Sequence, residues 1–309
     1  MSSVPSSPSE QPASLVAAST IGTPAGSGEQ AVCDPKMGVP SRARGGPFEE
    51  TLTPAAASGP ALPREATRPR WWGELLVIVF LAWAYDTIAN LAPLREKLAL
   101  THGSDILDLE RSLHIAPEAA LNSWLVVHDT LGTLLSYYYD NAHFIVTFGL
   151  LGWLWWKRAD IYRPLRSSLV AINVIGLLVF WLYPVAPPRM LSGFTDVIAS
   201  SHTFGSWHTG SLAADANQFG AMPSLHIAWA VWCTAVVWQL SSNAWVRTVA
   251  VVYPCVTAFA VLATGNHYLM DLLGGLATVV LAFAVVRLAR GACHKVVTKS
   301  QNRYTARGF

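Results

Sequence analysis

The sequence predicts an all-α membrane protein, a polytopic helix bundle with six transmembrane helices and short interfacial helices. Hydrophobic residues make up 52% of the 309 positions and charged residues only 13%, about half of the ~25% that is usual in soluble domains. Thirteen tryptophans suit a chain that meets both lipid and water. Six separate apolar stretches approach the ~20 residues that a helix needs to cross a bilayer.

A long polar segment precedes the apolar stretches. Residues 1–66 are rich in Ser, Pro, Ala and Gly and lack hydrophobic periodicity, so we expect a disordered N-terminal tail. No apolar secretory signal precedes residue 71, and the first span is therefore expected to be an uncleaved anchor. The predicted spans are residues 71–92, 132–156, 167–187, 223–240, 244–264 and 267–288.

The segment between the first two spans has a different pattern. Residues 94–128 combine apolar residues at helical spacing with mixed charges, which predicts one or two short helices at the membrane interface. Including this segment, residues 67–290 are expected to form one six-span membrane domain. Residues 291–309 follow as a basic cytoplasmic tail.

Lys and Arg are distributed unevenly between the two ends of the predicted spans. Fourteen of them fall on one side of the membrane and four on the other. The four are Arg95, Lys97, Arg111 and Arg189. Because basic residues favour the cytoplasmic side, we expect a multi-pass protein of the cell membrane with both termini in the cytoplasm. The loops 188–222 and 265–266 then face the extracytoplasmic side.

Three polar motifs fall on that outer side. "YPVAPPRML" ends the third span with Arg189, "AMPSLH" begins the fourth with Ser224 and His226, and "TGNHYLMD" begins the sixth with His267 and Asp271. Ionisable residues within or beside spans are energetically costly. Three such sets on one leaflet therefore indicate a common site.

The residue types in these motifs suit phosphoryl transfer. His267 and Asp271 are four residues apart, so on a helix the carboxylate can hold one ring nitrogen's proton while the other nitrogen attacks. Ser224 and His226 flank a helix start, where free N–H groups favour an anion. Arg189 adds a forked, permanently charged donor for phosphate oxygens.

Each motif also has a structural interpretation. A histidine at a helix start can cap or pack, an H-x-x-x-D pair can be a structural hydrogen bond or half of a metal site, and "PPR" can end a helix. The spans contain no further His or carboxylate cluster that would plainly complete a metal site, so neither a metal nor an organic cofactor is expected. The net charge of +2 gives no indication of nucleic-acid binding.

With "AMPSLH" followed by "GNHYLMDLLGG", the chain resembles the type 2 phosphatidic acid phosphatase superfamily, which shares its core with vanadium haloperoxidases. "YPVAPPRML" is similar to the inositolphosphotransferase branch, which includes inositol phosphorylceramide synthase. The resemblance covers about residues 70–290. Ala260 and Val261 stand where phosphatases usually have Ser-Arg, and residues 157–164 do not match the phosphatases' Lys-x6-Arg-Pro motif. Both departures favour the transferase branch.

The resemblance implies a role for each motif residue. His267 would be the nucleophile that forms a phosphohistidine, Asp271 would orient it, and His226 would protonate the leaving alkoxide. Ser224 and Arg189 would bind the phosphate oxygens. The implied enzyme is an integral membrane lipid phosphotransferase, which moves a phospho-headgroup from a phospholipid or polyprenyl-phosphate donor to an alcohol.

Other functions remain open at this stage. Water as the acceptor would make the chain a lipid phosphate phosphatase, and a non-catalytic lipid-binding or transport protein is a further alternative. Vanadate-dependent peroxidation is disfavoured because only Arg189 is available for the anion. The donor lipid, the acceptor and the oligomeric state are not predicted.

Three further residues could line the headgroup pocket. They are His143 in the second span, and Asn266 and Tyr268 on either side of the predicted nucleophile. His143 could equally make a hydrogen bond between helices, and Asn266 and Tyr268 could cap and anchor the last helix. Gly274 and Gly275 are expected to let that helix pack closely.

Overall fold

The structure is a computed structural model, and it describes residues 68–201 and 218–306. The predicted disordered tail, residues 1–66, lies outside the described residues. The α-helices are α1 Trp71–Leu91, α2 Glu96–Ser112, α3 Glu118–Val126, α4 Asp129–Lys157, α5 Ala159–Leu182, α6 Val197–Ser200, α7 Leu225–Leu240, α8 Ala244–Ala263 and α9 Leu269–Ala306. Short 3₁₀ helices cover Ala92–Arg95 and Pro188–Met190. The described residues include no β-strand, and the all-α membrane fold is confirmed.

Four helices are long and apolar enough to cross a membrane. These are α1, α5, α8 and the Leu269–Cys293 part of α9. The apolar helix α7 has 16 residues, which is about 24 Å at the α-helical rise, somewhat less than the ~30 Å hydrocarbon core. Helix α4 has 29 residues, but Asp140, Asn141 and His143 lie in its middle. The count of six spans therefore stays a prediction.

The helices form an up-and-down bundle in which α4, α5, α7, α8 and α9 pack on one another, while α1 contacts α5. The largest apolar cluster lies between α4, α5, α7 and α9 around Trp232, whose indole N–H donates to the Ser168 hydroxyl (2.9 Å). Other buried members of this cluster are Leu154, Leu165, Leu169, Ile172, Ala228, Val236, Val279 and Ala282.

The start of α1, the end of α4 and the start of α5 meet at one end of the bundle. The Trp155 indole N–H donates to the Pro69 carbonyl (3.1 Å), and Glu74 accepts from the Tyr162 hydroxyl (3.0 Å) and pairs with Arg166 (2.9 Å). The three sequence motifs lie at the opposite end. Adjacent helices thus alternate in direction, as the predicted spans require.

Two helices extend beyond the predicted spans. Helix α5 begins at Ala159, eight residues before the expected start of the third span at residue 167, and it includes Pro164. Helix α9 continues through most of the basic tail to Ala306. No proline interrupts residues 269–306, so the helix can continue after the chain leaves the apolar region.

The segment between the first two predicted spans forms two helices, α2 and α3, as expected. In each helix the buried residues recur at helical spacing, so they lie on one face. The buried residues are Ala99, Gly103, Ile106, Leu107 and Glu110 on α2, and Glu118, Asn122 and Leu125 on α3. Helix α2 packs on α9 and on the Pro188–Met190 turn, whereas α3 packs on α8, α4 and α6. Both helices therefore belong to the end of the bundle that holds the motifs.

Candidate active site

The turn between α8 and α9 positions His267. Gly265 has a φ of 75°, a left-handed conformation that ends α8 and that glycine adopts without strain. The backbone N–H groups of Asn266 and His267 then donate back to the Val261 carbonyl at 3.1 and 3.2 Å. The imidazole consequently lies just before the first turn of α9.

Asp271 fixes the orientation of the His267 ring. Nδ1 of His267 lies 3.2 Å from Oδ2 of Asp271, which also accepts a hydrogen bond from the Tyr268 backbone N–H (2.9 Å). His267 is 4% exposed and Asp271 is fully buried. With Asp271 ionised, the proton resides on Nδ1, so Nε2 of His267 keeps the lone pair that a nucleophile needs.

His226 lies beside His267. It is the second residue of α7, and the centroids of the two imidazole rings are 5.8 Å apart. The His226 ring stacks on Tyr139 (4.2 Å) and meets the edge of the His143 ring (4.3 Å), both from α4. The structure therefore brings together two histidines that are 41 positions apart in the sequence.

Ser224 joins the start of α7 to the start of α9. Its side-chain oxygen caps α7 by accepting from the Ile227 N–H (3.4 Å), and its own N–H donates to the Asp271 carbonyl (3.0 Å). A Cβ on Gly275 would come within 2.5 Å of the Ser224 carbonyl oxygen. The expected close packing at Gly275 is confirmed, because no larger residue fits here without movement.

Arg189 is held over the same turn. Its backbone N–H donates to the Gly265 carbonyl (2.8 Å), and its guanidinium group is largely buried. The guanidinium pairs with Asp196 (3.2 Å) and donates to Gln218 (2.8 Å) and to the side-chain carbonyl of Asn266. Over the part of the chain that the structure describes, these partners use three of its five N–H donors.

Asp196 and Gln218 were not predicted from the sequence. Both lie in the long segment between α5 and α7, where neither helical spacing nor a motif distinguishes them. A partly buried arginine needs polar partners, which is the general reason to look for such residues. Neither the partner's identity nor its position follows from the sequence.

Backbone hydrogen bonds join the first motif to the second. The Val185 N–H donates to the Phe219 carbonyl (2.8 Å), and the Val185 carbonyl accepts from Ala221 (3.2 Å). The next residue, Ala186, donates to the Ala99 carbonyl in α2 (2.9 Å). Two backbone hydrogen bonds therefore join the segment before Arg189 to the segment before Ser224.

Asn122 links α3 to the same region. Its amide N–H₂ donates to the carbonyls of Thr195 and Ala263 (3.0 Å each), and its carbonyl accepts from the Thr195 N–H (2.9 Å). The amide of this buried side chain is therefore well satisfied. Through these bonds, Asn122 holds the end of α8 next to the loop that supplies Asp196.

The three residues predicted for a headgroup pocket lie in different environments. His143 lines a small cavity beside His226, together with Tyr139 and Tyr253. Asn266 and Tyr268 are nearly or fully buried elsewhere. Asn266 bonds to Arg189 and to Thr264, and the Tyr268 hydroxyl donates to the Ala186 carbonyl (2.9 Å). These contacts correspond to the anchoring role that the sequence left open for both residues.

Ala260 and Val261 occupy the positions of the phosphatases' usual Ser-Arg pair. Both are buried in α8 among apolar neighbours. They also line the cavity beside His226. Apolar side chains therefore stand on this wall of the site in place of a second arginine.

Comparison with known families identifies the chain. A sequence profile described as the PAP2 superfamily matches residues 104–285, more than half of the chain, and the match includes all three motifs. Comparisons with the curated proteins and with the solved structures give no match. The superfamily generally comprises phosphatases and related phosphotransferases, which supports an enzyme acting on lipid phosphates. The chain belongs to the PAP2 superfamily.

Proposed function

We propose that this protein is a lipid phosphotransferase of the inositolphosphotransferase-like branch. It transfers a phospho-headgroup from a phospholipid or a polyprenyl phosphate to an alcohol through a phosphohistidine at His267. The observation that carries the proposal is the arrangement of the two histidines. Their ring centroids are 5.8 Å apart, and Asp271 binds Nδ1 of His267.

In the first step, His267 displaces the leaving alcohol. The lone pair on Nε2 forms a bond to phosphorus while the bond from phosphorus to the leaving oxygen breaks. His226 enters this step protonated and gives its proton to the leaving oxygen. Asp271 stabilises the positive charge that develops on the His267 ring.

In the second step, an alcohol takes the phosphoryl group from His267. The acceptor hydroxyl gives its proton to His226, its oxygen bonds to phosphorus, and the phosphorus–nitrogen bond breaks. The electron pair returns to Nε2 of His267, and both histidines recover their starting states. Water in place of the alcohol would produce hydrolysis by the same route.

The charge of the phosphate is balanced by Arg189 and by the start of α7. Two guanidinium N–H groups of Arg189 have no partner among residues 68–201 and 218–306, and the Ser224 hydroxyl can donate its proton while its oxygen caps the helix. The first turn of α7 adds backbone N–H groups and the positive end of the helix dipole. Preorganised donors of this kind are commonly the largest contribution to catalysis.

Two features support a transferase with an outward-facing site. Ala260 and Val261 replace the phosphatases' Ser-Arg pair, and the apolar wall that they form suits a lipid alcohol better than water. The basic residues at the opposite end of the bundle indicate that the site faces the extracytoplasmic leaflet. A lipid phosphate at that boundary would lie level with His226 and His267.

The proposal is tested by trapping the phosphoenzyme. Purified protein in vesicles of a phospholipid labelled with ³²P in its phosphate should acquire acid-labile label, and His267→Ala should acquire none. His128→Ala is the matched control, since His128 lies at the same end of the bundle, and its ring, within the described segments, contacts only the carbonyl and the ring of Trp124 one turn before it. It should keep the label of the unaltered protein.

Adding alcohols distinguishes the acceptor. If an alcohol takes label at the expense of the water product, the transferase assignment holds; if the water product alone is released, the acceptor is water and the protein is a lipid phosphate hydrolase. The water product is inorganic phosphate when the donor is a phosphomonoester, such as a polyprenyl phosphate, and the phosphorylated headgroup when the donor is a phosphodiester. Turnover retained in His267→Ala, or the absence of label and product with every phospholipid and polyprenyl phosphate, would contradict the proposal. The latter result would favour a non-catalytic lipid-binding or transport protein.

A further inference from the structure

Two glutamates are buried beneath the candidate active site. Glu110 lies in the last turns of α2, Glu118 is the first residue of α3, and neither side chain is exposed to solvent. The two carboxyl groups contact each other. Carboxylates are almost never fully buried unless they are paired, so this arrangement needs a physical explanation.

A shared proton explains the contact between the two carboxyl groups. Two ionised carboxylates have only acceptors and repel each other, whereas one protonated carboxyl group can donate to the other. Within the described segments, no N–H or O–H makes a well-formed hydrogen bond to Oε2 of Glu110 or to either carboxyl oxygen of Glu118. The shared proton therefore supplies the pair with its missing donor.

The remaining oxygen of Glu110 connects the pair to the active site. Oε1 of Glu110 accepts a hydrogen bond from the Met270 backbone N–H at 2.6 Å. Met270 is in the first turn of α9, one residue before Asp271. An acidic oxygen at a helix start satisfies a free N–H and interacts favourably with the helix dipole. Glu110 thus holds the turn that carries Asp271 and follows His267.

The charged neighbours act on the pair in opposite directions. Asp271, a third carboxylate nearby, favours the protonated form of both groups, whereas Arg111 favours the ionised form of Glu118 and has the smaller effect of the two. Burial, followed by the charge of Glu118, raises the pKa of Glu110 to about 8. Burial also raises the pKa of Glu118 above its ordinary value. One proton is therefore retained at neutral pH.

We propose that Glu110 and Glu118 are positioning residues that share one proton, and that Glu110 thereby fixes Met270 and the relative placement of His267 and Asp271. This inference rests on the proposed function, because it assigns the pair to the alignment of the nucleophile. Loss of the shared proton leaves two adjacent buried charges, which separate and shift the first turn of α9.

Substitution by glutamine tests the shared proton directly. In Glu110→Gln, the amide carbonyl can accept from Met270 and the amide N–H₂ can donate to Glu118, so kcat at pH 7 should stay within about 3-fold of the unaltered protein. In Glu110→Ala both bonds are lost, and kcat should fall about 10-fold to 100-fold while KM changes less than about 2-fold. Equal losses in Glu110→Gln and Glu110→Ala would overturn the proposal.

The pH profile supplies a readout that a purely structural role would not change. The kcat of the unaltered protein should fall above pH 8 as the pair loses its proton, whereas Glu118→Gln, whose amide does not titrate, should lack this decline. Asp108→Asn is the matched control, because Asp108 is an exposed carboxylate on the same helix, paired with Arg111. It should reproduce the unaltered profile. Identical profiles for the unaltered protein and Glu118→Gln would overturn the proposal.

Thermal unfolding in detergent separates this inference from the proposed function. Since the folded pair binds a proton that the unfolded glutamates release above their ordinary pKa, the unfolding midpoint should fall as the pH rises from about 5 to 8. Glu118→Gln should flatten this dependence and Asp108→Asn should not; an unchanged slope in Glu118→Gln would overturn the shared proton. Turnover retained in His267→Ala would instead refute the proposed function and leave this measurement to decide on the pair.

Discussion

The two halves of the helix bundle are held together by different interactions. At the end that holds the motifs, four residues bond to backbone groups of other segments across separations of 47 to 141 residues: Asn122 and Tyr268 through their side chains, and Arg189 and Ser224 through their backbone N–H groups. In the other half, the cluster around Trp232 consists almost entirely of apolar side chains. The motif end therefore depends mainly on directional bonds between separate segments, whereas the Trp232 cluster depends mainly on close packing, with the polar contacts of Glu74 and Trp155 at its margin.

This difference has a functional reason. Hydrogen bonds between buried groups specify a position because distance and angle must both be satisfied. Packing between apolar helices in a membrane depends on the shapes of the side chains and requires no fixed hydrogen-bond distance or angle. Substitutions near the motifs should therefore change turnover more than stability. Substitutions in the Trp232 cluster should do the reverse.

The largest predicted effect is that of Asp271→Asn. The amide can still accept from the Tyr268 N–H, but it no longer stabilises a positively charged His267 ring or holds its proton on Nδ1. Turnover should fall about 10³-fold or more, the size of effect seen when an orienting carboxylate is neutralised in other histidine-based sites. The unfolding midpoint should change little.

Asp86→Asn is the control for this variant. Asp86 is also a carboxylate on a membrane-spanning helix, but among the described residues its side chain bonds to Asn90 on α1 alone. It should retain turnover. If Asp271→Asn lost stability and kept its turnover, the carboxylate would belong to the scaffold, and the contrast between the two halves would fail.

Asn122→Ala should have the next largest effect. It removes three hydrogen bonds and leaves the buried Ala263 carbonyl and the Thr195 N–H without this partner, which costs about 1–3 kcal/mol per unsatisfied group. Because Ala263 precedes the Gly265 turn, the turnover of the folded protein, measured at a temperature below the unfolding midpoint, should also fall by about 10-fold. Asn141→Ala, which removes an exposed amide on α4, is the control and should change neither quantity by much. Unchanged turnover in Asn122→Ala would show that the α8 turn keeps its position without α3.

The sequence was sufficient to predict the features that depend on local patterns. Apolar runs predicted the helices, and the positions of His226, His267 and Asp271 at helix starts predicted that they would lie close together. Such predictions succeed because a membrane span must be helical and its ends must lie at a boundary. The identity of a buried group's partner is not local, which is why Asp196 was not predicted.

Glu110 and Glu118 show how a local signal can be overlooked. Their helices were expected to lie at the interface, where charged residues face water. Yet Glu110 falls in the same helical stripe as Gly103 and Ile106, and Glu118 shares a stripe with Leu125. A carboxylate in line with apolar residues at spacings of three and four indicates burial. The partner across the turn could be found only from the structure.

Gly275→Ala tests how tightly the two helix starts are packed. The added Cβ would come within 2.5 Å of the Ser224 carbonyl oxygen, which is backbone and cannot rotate away. Moving α7 from α9 should cost about 1–3 kcal/mol and lower turnover several-fold, because Ser224 and Asp271 are joined there. Gly149→Ala is the control: nothing lies within 4 Å of its added Cβ, and it should be neutral or stabilising by about 0.5–1 kcal/mol. Equal turnover in the two variants would contradict close packing at the site.

The smallest predicted effect is in the other half of the bundle. Ile172 is fully buried in the Trp232 cluster, so Ile172→Val should lower the free energy of unfolding by about 0.5–1.5 kcal/mol through the loss of one methylene group. Turnover per folded molecule should not change, because the apolar cluster can adjust without moving the hydrogen-bonded turn at Gly265. Ile145→Val, at a position that is 70% exposed, should leave the unfolding midpoint of the detergent-solubilised protein unchanged. A clear loss of turnover in Ile172→Val, measured below its unfolding temperature, would mean that the half of the bundle around Trp232 also sets the geometry of the two histidines.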